Sequence, residues 1–366
     1  MRKYVLCVFC FLIIITVTAC GTKERETGKD GQNVGNTETK QADLSAAEIT
    51  PTDEIVKLEK GFSVVRYDGD YGFDKFLSAG GASSDGEVID FLSKNLLSDM
   101  DLGFLGNIFG CSTVAVKDAD GNALFGRNFD WEHCDAMVVI SHPENGYASI
   151  STVNVDFISQ GGITGMALKK DEIKTLAALY APLDGMNEKG LAVSVNMIQD
   201  SASIEQNTEK PDITTTTAIR LLLDRAATVD EALELLKGYD MHASMGMMVH
   251  FALADTEGKS VAVEYVDNEM VVMETPVLTN FYLAEGEKHG IGTEQSHTRY
   301  DMLMERLKQN ETMDEKDVRD ALSSVSKGNF GEFESTEWSI VFNQTEGKAT
   351  YYHRENYKDG YAFTIE

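Results

Sequence analysis

Residues 110–131, GCSTVAVKDADGNALFGRNFDW, constrain this chain more than any other stretch. Two β-prone runs, 113–116 and 123–125, flank Asp118-Ala119-Asp120-Gly121. That is the pattern of a hairpin closed by an Asp-Gly turn. With the turn centred near Asp120, Cys111 falls roughly opposite residues 127–130. One end of one sheet then carries the Cys111 thiol, the Arg127 guanidinium and the Asp130 carboxylate. A cation beside a thiol favours the thiolate, which is the nucleophilic form. Taken alone, the same residues fit a small buried cysteine and a solvated Arg/Asp pair at a strand end.

The N-terminus carries a targeting pattern. Arg2 and Lys3 precede an apolar run, 5–17, that is short for a bilayer span. The ending Val17-Thr18-Ala19-Cys20-Gly21 resembles a bacterial lipoprotein signal, so residues 1–19 are expected to be removed and Cys20 lipidated. The expected location is the outer face of the cell membrane, reached through the lipid anchor only. Residues 20–52 are rich in Thr, Glu, Lys, Gly, Asn and Gln and have few large apolar residues. They read as a disordered tether, about thirty residues with a root-mean-square span of roughly 30 Å.

The remainder is long enough for one large domain, with residues 53–110 a pro-segment or light chain and 111–366 the main body. A formal net charge of −28 lacks the basic footprint that nucleic acid requires. Cys7 and Cys10 leave with the signal, so Cys111 and Cys134 remain as thiols; an exported protein could pair them, which would consume the nucleophile. His133-Cys134-Asp135 has no second cluster at ligand spacing, so no metal or other cofactor is expected and Cys134 reads as packing.

Alternation predicts strands over 61–67, 147–159, 191–196, 249–254, 261–266, 270–274, 339–344 and 349–353. Apolar spacing predicts helices over 85–97, 214–226, 300–307 and 314–325, and Thr228 with Glu231 forms a capping box for one ending near Leu236. Residues 184–190 read as a loop, with Asn187 there for turn chemistry. The apolar, glycine-rich run 102–110 reads as a cover or a scissile linker ahead of Cys111, with Phe104, Leu105, Ile108 and Phe109 as its apolar side chains. Hairpins interspersed with helix pairs indicate a layered α+β fold.

GCST at Cys111, GRNFDW at 126–131, DGMNEKGLAVSVN from Asp184, VLTN ending at Asn280, SHTRY containing Arg299 and WSIVFNQTEGKATYYHREN near the C-terminus together resemble the choloylglycine hydrolase and linear amide hydrolase family. That family includes penicillin V acylases and, more distantly, acid ceramidase and N-acylethanolamine acid amidase. The resemblance implies an N-terminal-nucleophile hydrolase with a four-layer αββα sandwich, cleaving linear amide C–N bonds of small molecules. It implies Cys111 as nucleophile, with its own α-amine as base and Asp130 orienting that amine. Arg127 would stabilise the thiolate or contact substrate. Asn196 and Asn280 would form the oxyanion hole, with the backbone N–H of Met197 an alternative donor, and Arg299 would complete the polar network. Read without the family, Asn196 and Asn280 fit turn asparagines and Arg299 a solvated residue at a helix start.

The long segment ahead of Cys111 departs from bile-salt hydrolases, which expose their cysteine by losing an initiator methionine. Here the amine is locked in a peptide bond until Gly110–Cys111 is cut, and self-cleavage is expected. Glycine at that position would let the thiol approach and tolerate a strained backbone. Two other classes fit the same chain, a non-catalytic lipid-anchored binding protein and an acyltransferase.

Overall fold

The computed structural model describes residues 46–95, 110–159, 171–285, 292–330 and 334–365. The export signal, Cys20, the tether up to residue 45 and the run 102–109 lie outside the described residues.

Two sheets hold the chain together. The first has seven strands in the order Ala47–Glu48 (β1), Tyr361–Thr364 (β18), Lys348–His353 (β17), Ser335–Asn343 (β16), Ala123–Trp131 (β5), Gly110–Lys117 (β4) and Val277–Leu278 (β15). The second has nine: Glu269–Glu274 (β14), Ser260–Val266 (β13), Val249–Ala254 (β12), Ala192–Met197 (β9), Asp184–Asn187 (β8), Ser149–Asn154 (β7), Ala136–His142 (β6), Phe62–Asp68 (β3) and Val56–Glu59 (β2). A short pair, Asp212–Thr214 (β10) with Asp240–His242 (β11), lies apart.

Eight helices are described: Phe73–Ser78 (α1), Asp85–Asn95 (α2), Val155–Ser159 (α3), Asp171–Leu179 (α4), Thr215–Arg225 (α5), Val229–Lys237 (α6), Glu294–Gln309 (α7) and Glu315–Ser324 (α8). α7 and α8 pack on the seven-stranded sheet, while α4 and α5 pack on the nine-stranded one. Every residue of β5, β7, β8, β9, β12 and β16 is buried, as strands covered on both faces must be. This is the four-layer αββα sandwich implied by the family resemblance.

The β4–β5 hairpin forms as expected, with Asp118 closing its turn by accepting from Asp120 N and Asn122 N at 2.9 and 2.8 Å. α5 starts at a full capping box in which Thr214 and Thr217 exchange hydrogen bonds. Thr228 caps α6 through Glu231 N, but the Glu231 carboxylate accepts from Ala227 N instead of Thr228 N, so that box is only half formed.

Three expectations need correction. Alternation placed a strand over 147–159, yet pairing stops at Asn154 and residues 155–159 turn helical. Asn154 Oδ1 accepts from Asp156 N at 2.9 Å, which starts that turn. Residues 184–187 are a buried central strand instead of a loop. Gly185 is there for packing: a Cβ would stand 2.6 Å from Ile150 O and 2.8 Å from Leu223 Cδ1, so its absence lets α5 lie against the sheet. Finally, the C-terminal end of the expected tether is ordered, since Ala47 and Glu48 pair in parallel with Tyr361 and Ala362.

Candidate active site

Strand alternation sorts the hairpin's polar residues onto two faces. Cys111 stands opposite Phe129, Thr113 opposite Arg127, and Gly110 opposite Asp130. Cys111, Arg127 and Phe129 therefore face the other sheet, whereas Ser112, Asn128 and Asp130 face the helices.

On the inter-sheet side, Arg127 is wholly buried and spans the two sheets. Its Nε donates to Asp184 Oδ2 at 2.6 Å, Nη1 to Asn196 Oδ1 at 2.7 Å, and Nη2 to Val195 O at 3.0 Å and to Cys111 Sγ at 3.7 Å. Trp338 Nε1 also donates to Asp184 Oδ2, at 3.1 Å. Burial opposes the arginine's charge, but Cys111 and Asp184 outweigh it and raise its pKa. Burial, helped by the Asp130 charge, leaves the Cys111 thiol above its ordinary value, although Arg127, the backbone N–H of Asp130 and Arg299 pull it toward the thiolate.

On the helix side, α7 presents Arg299, 4% exposed, far from the solvated residue expected from its own surroundings. Nη1 donates to Cys111 O and to Ser112 Oγ, both at 2.6 Å, and reaches Asp130 Oδ2 at 3.5 Å; Nη2 donates to Asn280 Oδ1 at 2.8 Å. Asn280 Oδ1 also accepts from Cys111 N at 2.7 Å, and its Nδ2 donates to Met197 O at 2.8 Å. Asn196 is the penultimate residue of β9, close to the strand end expected; its Nδ2 donates to Leu278 O at 3.3 Å. Asp130 Oδ1 accepts from Thr336 Oγ1 at 2.7 Å. Cys111, Arg127, Asp130, Asn196, Asn280 and Arg299, the six residues singled out from sequence, are thus linked in one polar network around Cys111. Asn187 stays outside this set: its Oδ1 accepts from Lys189 N and Leu191 N, the turn chemistry expected, but its Nδ2 also donates to Leu223 O and Ala226 O and so ties the turn to the end of α5.

Several contributors were invisible in sequence. Asp184 was assigned to a loop yet fixes Arg127. His250 pairs with Asn196 across β9 and β12, and bridges Glu264 Oε1 at 3.0 Å to Thr279 O at 2.9 Å, which sets the segment bearing Asn280. Burial works against the Glu264 carboxylate, but the hydrogen bonds from His250, Leu283 N and Ala284 N prevail and lower its pKa. Lys327, 5% exposed, ion-pairs with Glu334 and lies 3.7 Å from Asp130 Oδ2. No local pattern marks a residue whose only signal is what the fold places beside it.

Gly110 is needed for a reason other than backbone strain. A Cβ there would overlap Lys327 Nζ and come within 2.9 Å of Asp130 Oδ2. The thiol opens onto a small apolar cavity of about 20 Å³, walled by Phe129, Val195, Met245, Met247 and Val249, room for roughly one water. Met245 also lines a polar groove of about 650 Å³ with Ser84, Asp85, Glu205, Asp212 and His242.

Cys111 and Cys134 are both free and buried, so no disulfide consumes the thiol. Among the described residues no group of three or more His, Cys, Asp or Glu could hold a metal ion. Beside Cys134, burial raises the Glu337 carboxyl to about 7 despite Arg354 nearby. A carboxyl raised above its unfolded value penalises folding as pH climbs from the unfolded to the folded pKa, a loss on the order of 3 kcal/mol here. Glu337→Gln is therefore expected to raise the melting temperature more at pH 8 than at pH 5. Equal shifts at both pH values would contradict that assignment.

Comparison with known proteins gives the family. The model of the family described as linear amide C–N hydrolases, choloylglycine hydrolase family, matches residues 111–331, starting at Cys111. A bile salt hydrolase/transferase of Clostridium perfringens is 29% identical over 180 residues, covering 46% of this chain and 53% of that protein. A penicillin V acylase of Pectobacterium atrosepticum is 31% identical over 100 residues, covering 24% of this chain and 26% of its own length. The chain thus spans about half the length of the first relative and about a quarter of the second. Crystal structures of two variants of the conjugated bile acid hydrolase from Clostridium perfringens superpose with TM-scores of 0.52 and 0.51 at 21% and 19% identity, each covering 70% of this chain and 92% of that one. The shared architecture is the layered αββα sandwich. The chain belongs to the choloylglycine hydrolase family of linear amide C–N hydrolases.

Proposed function

We propose that this protein is an amidase that cuts itself between Gly110 and Cys111 and then hydrolyses small linear amides through an S-acyl intermediate on Cys111. The observation that carries the reading is the position of the Cys111 nitrogen. It already sits on Asn280 Oδ1, at the end of a strand whose thiol faces a buried guanidinium.

Once freed, that nitrogen is an α-amine whose ordinary pKa near 8 suits a base at neutral pH. It takes the thiol proton, and the thiolate attacks the substrate carbonyl. Donors from Asn280 and Asn196, with the Met197 N–H as an alternative, take the developing oxyanion, while the α-ammonium protonates the leaving amine. Water then attacks the thioester, returning the acid and the thiol. Arg127 holds the thiolate, and Asp130 and Arg299 keep the amine in place. No cofactor takes part in this sequence.

The apolar lining beside the thiol favours a nonpolar acyl group. Met245 divides that cavity from the polar groove, and its backbone is left-handed (φ 56°), an uncommon conformation for a side-chain-bearing residue. Displacing this flexible side chain would join the two spaces and admit an acyl amide. The acidic groove suits a neutral or cationic amine portion better than an anionic one. We further propose lipidation at Cys20 and residence on the outer membrane face, on the strength of the V-T-A-C-G pattern.

The test is product analysis with N-acyl amino acids, N-acyl ethanolamides, bile-salt conjugates and phenoxyacyl β-lactams, with and without a competing amine. Free acid from one class supports hydrolysis. Transfer to the added amine would make the protein an acyltransferase, and tight binding without turnover would make it a binding protein.

A further inference from the structure

In turnover the α-amine of Cys111 handles both proton transfers, but during self-cleavage that nitrogen is itself the leaving group. The cut needs a proton donor from elsewhere, on the side of the strand away from the thiol.

We propose that Lys327 is the acid of self-cleavage, protonating the Cys111 nitrogen as its bond to Gly110 breaks. This deepens the self-processing reading and rests on it. The Lys327 ammonium occupies the space that a side chain at Gly110 would take, on the atom that carries the scissile carbonyl. It lies on the Asp130 face of the strand, opposite the face that carries the thiol. Glu334 and Asp130 hold it there, and Lys327 N and Asp130 Oδ1 share Thr336 Oγ1 as a common tie, at 2.8 and 2.7 Å. Burial lowers its pKa even with those carboxylates close by, which makes the ammonium a stronger acid.

The step balances. The thiol proton leaves to solvent, sulfur bonds to the Gly110 carbonyl carbon, and the C–N bond breaks as Lys327 gives its proton to nitrogen. Water hydrolyses the Gly110 thioester, its hydroxyl going to the acyl carbon and a proton to sulfur, and Lys327 recovers a proton from solvent. The products are a Gly110 carboxylate and a free Cys111 N-terminus.

The experiment follows cleavage of the full chain by mass after a cell-free translation pulse, over a range of pH. Wild type is expected to show a bell, because cleavage needs the thiol ionised and Lys327 protonated at the same time. The charged and titratable groups around Lys327 are Asp130, Glu334 and Arg299, with the Cys111 thiol across the strand. Lys327→Met and Lys327→Arg should both slow cleavage by about 10²-fold or more and lose the alkaline limb, because arginine keeps the charge but is a very weak acid. Added ethylammonium should speed Lys327→Ala. Melting curves identify any variant that fails to fold, and Lys327→Arg, which retains the cation, serves as the second variant. Wild-type rate in Lys327→Arg, or an alkaline limb retained in Lys327→Met, would reduce Lys327 to a charge partner of Asp130. Wild type left whole would overturn the self-processing reading together with this one, whereas cut wild type with equally fast variants overturns this one alone.

Discussion

Cys111→Ala is expected to bring amide hydrolysis down to background while the fold survives. Removing a nucleophile that works as a unit with its base typically costs on the order of 10⁶ in turnover. Among the described residues no other thiol can substitute, since Cys134 is buried and its thiol is pushed well above the usual range by burial and by Glu337. Stability should fall only slightly. The variant loses one buried sulfur, a small cavity costing about 1–2 kcal/mol, and Arg127 keeps Asp184, Asn196 and Val195 as partners. The check is a rate assay beside a chemical-denaturation curve. Residual turnover within a hundredfold of wild type, in a folded protein, would remove Cys111 from the chemistry.

Arg127→Met is expected to damage both stability and rate. The guanidinium is a central link between the two sheets at the site, and its removal leaves the Asp184 carboxylate in the interior with only Trp338 Nε1 as donor. Breaking a buried pair from one side costs about 3–5 kcal/mol, because the remaining charge has lost its partner. The thiolate loses its nearest cation as well, so folded variant should turn over at least about a hundredfold more slowly. Arg127→Met with Asp184→Asn should recover much of the stability and little of the rate. A single variant within 1 kcal/mol of wild type would mean that the pair contributes little.

Local rules reached a long way into this fold, and where they stopped is instructive. The hairpin register was legible because an Asp-Gly turn fixes the pairing of both arms, which placed Cys111 beside residues 127–130 before any tertiary information. The same rules read Asp184-Gly185 as a turn. In the fold Gly185 is a strand residue without a side chain because α5 sits on it, and nothing in a one-dimensional pattern separates those two uses of glycine. Asn196, Asn280 and Arg299 each look like ordinary surface chemistry in their own segments. Only the family motifs singled them out, and their environment exists only once β9, the strand ending at Leu278, and α7 meet at Cys111. Lys327, His250 and Glu264 carry no motif at all. They are buried polar side chains set by long-range packing, so the fold had to be seen first.

The most direct test of the account is the intact mass of the purified full-length protein, wild type beside Cys111→Ala. The account predicts two wild-type fragments divided between Gly110 and Cys111, the larger beginning with a free cysteine, and a variant left whole. A fully active wild-type chain with that bond intact would contradict it, because the amine that serves as base would still be an amide.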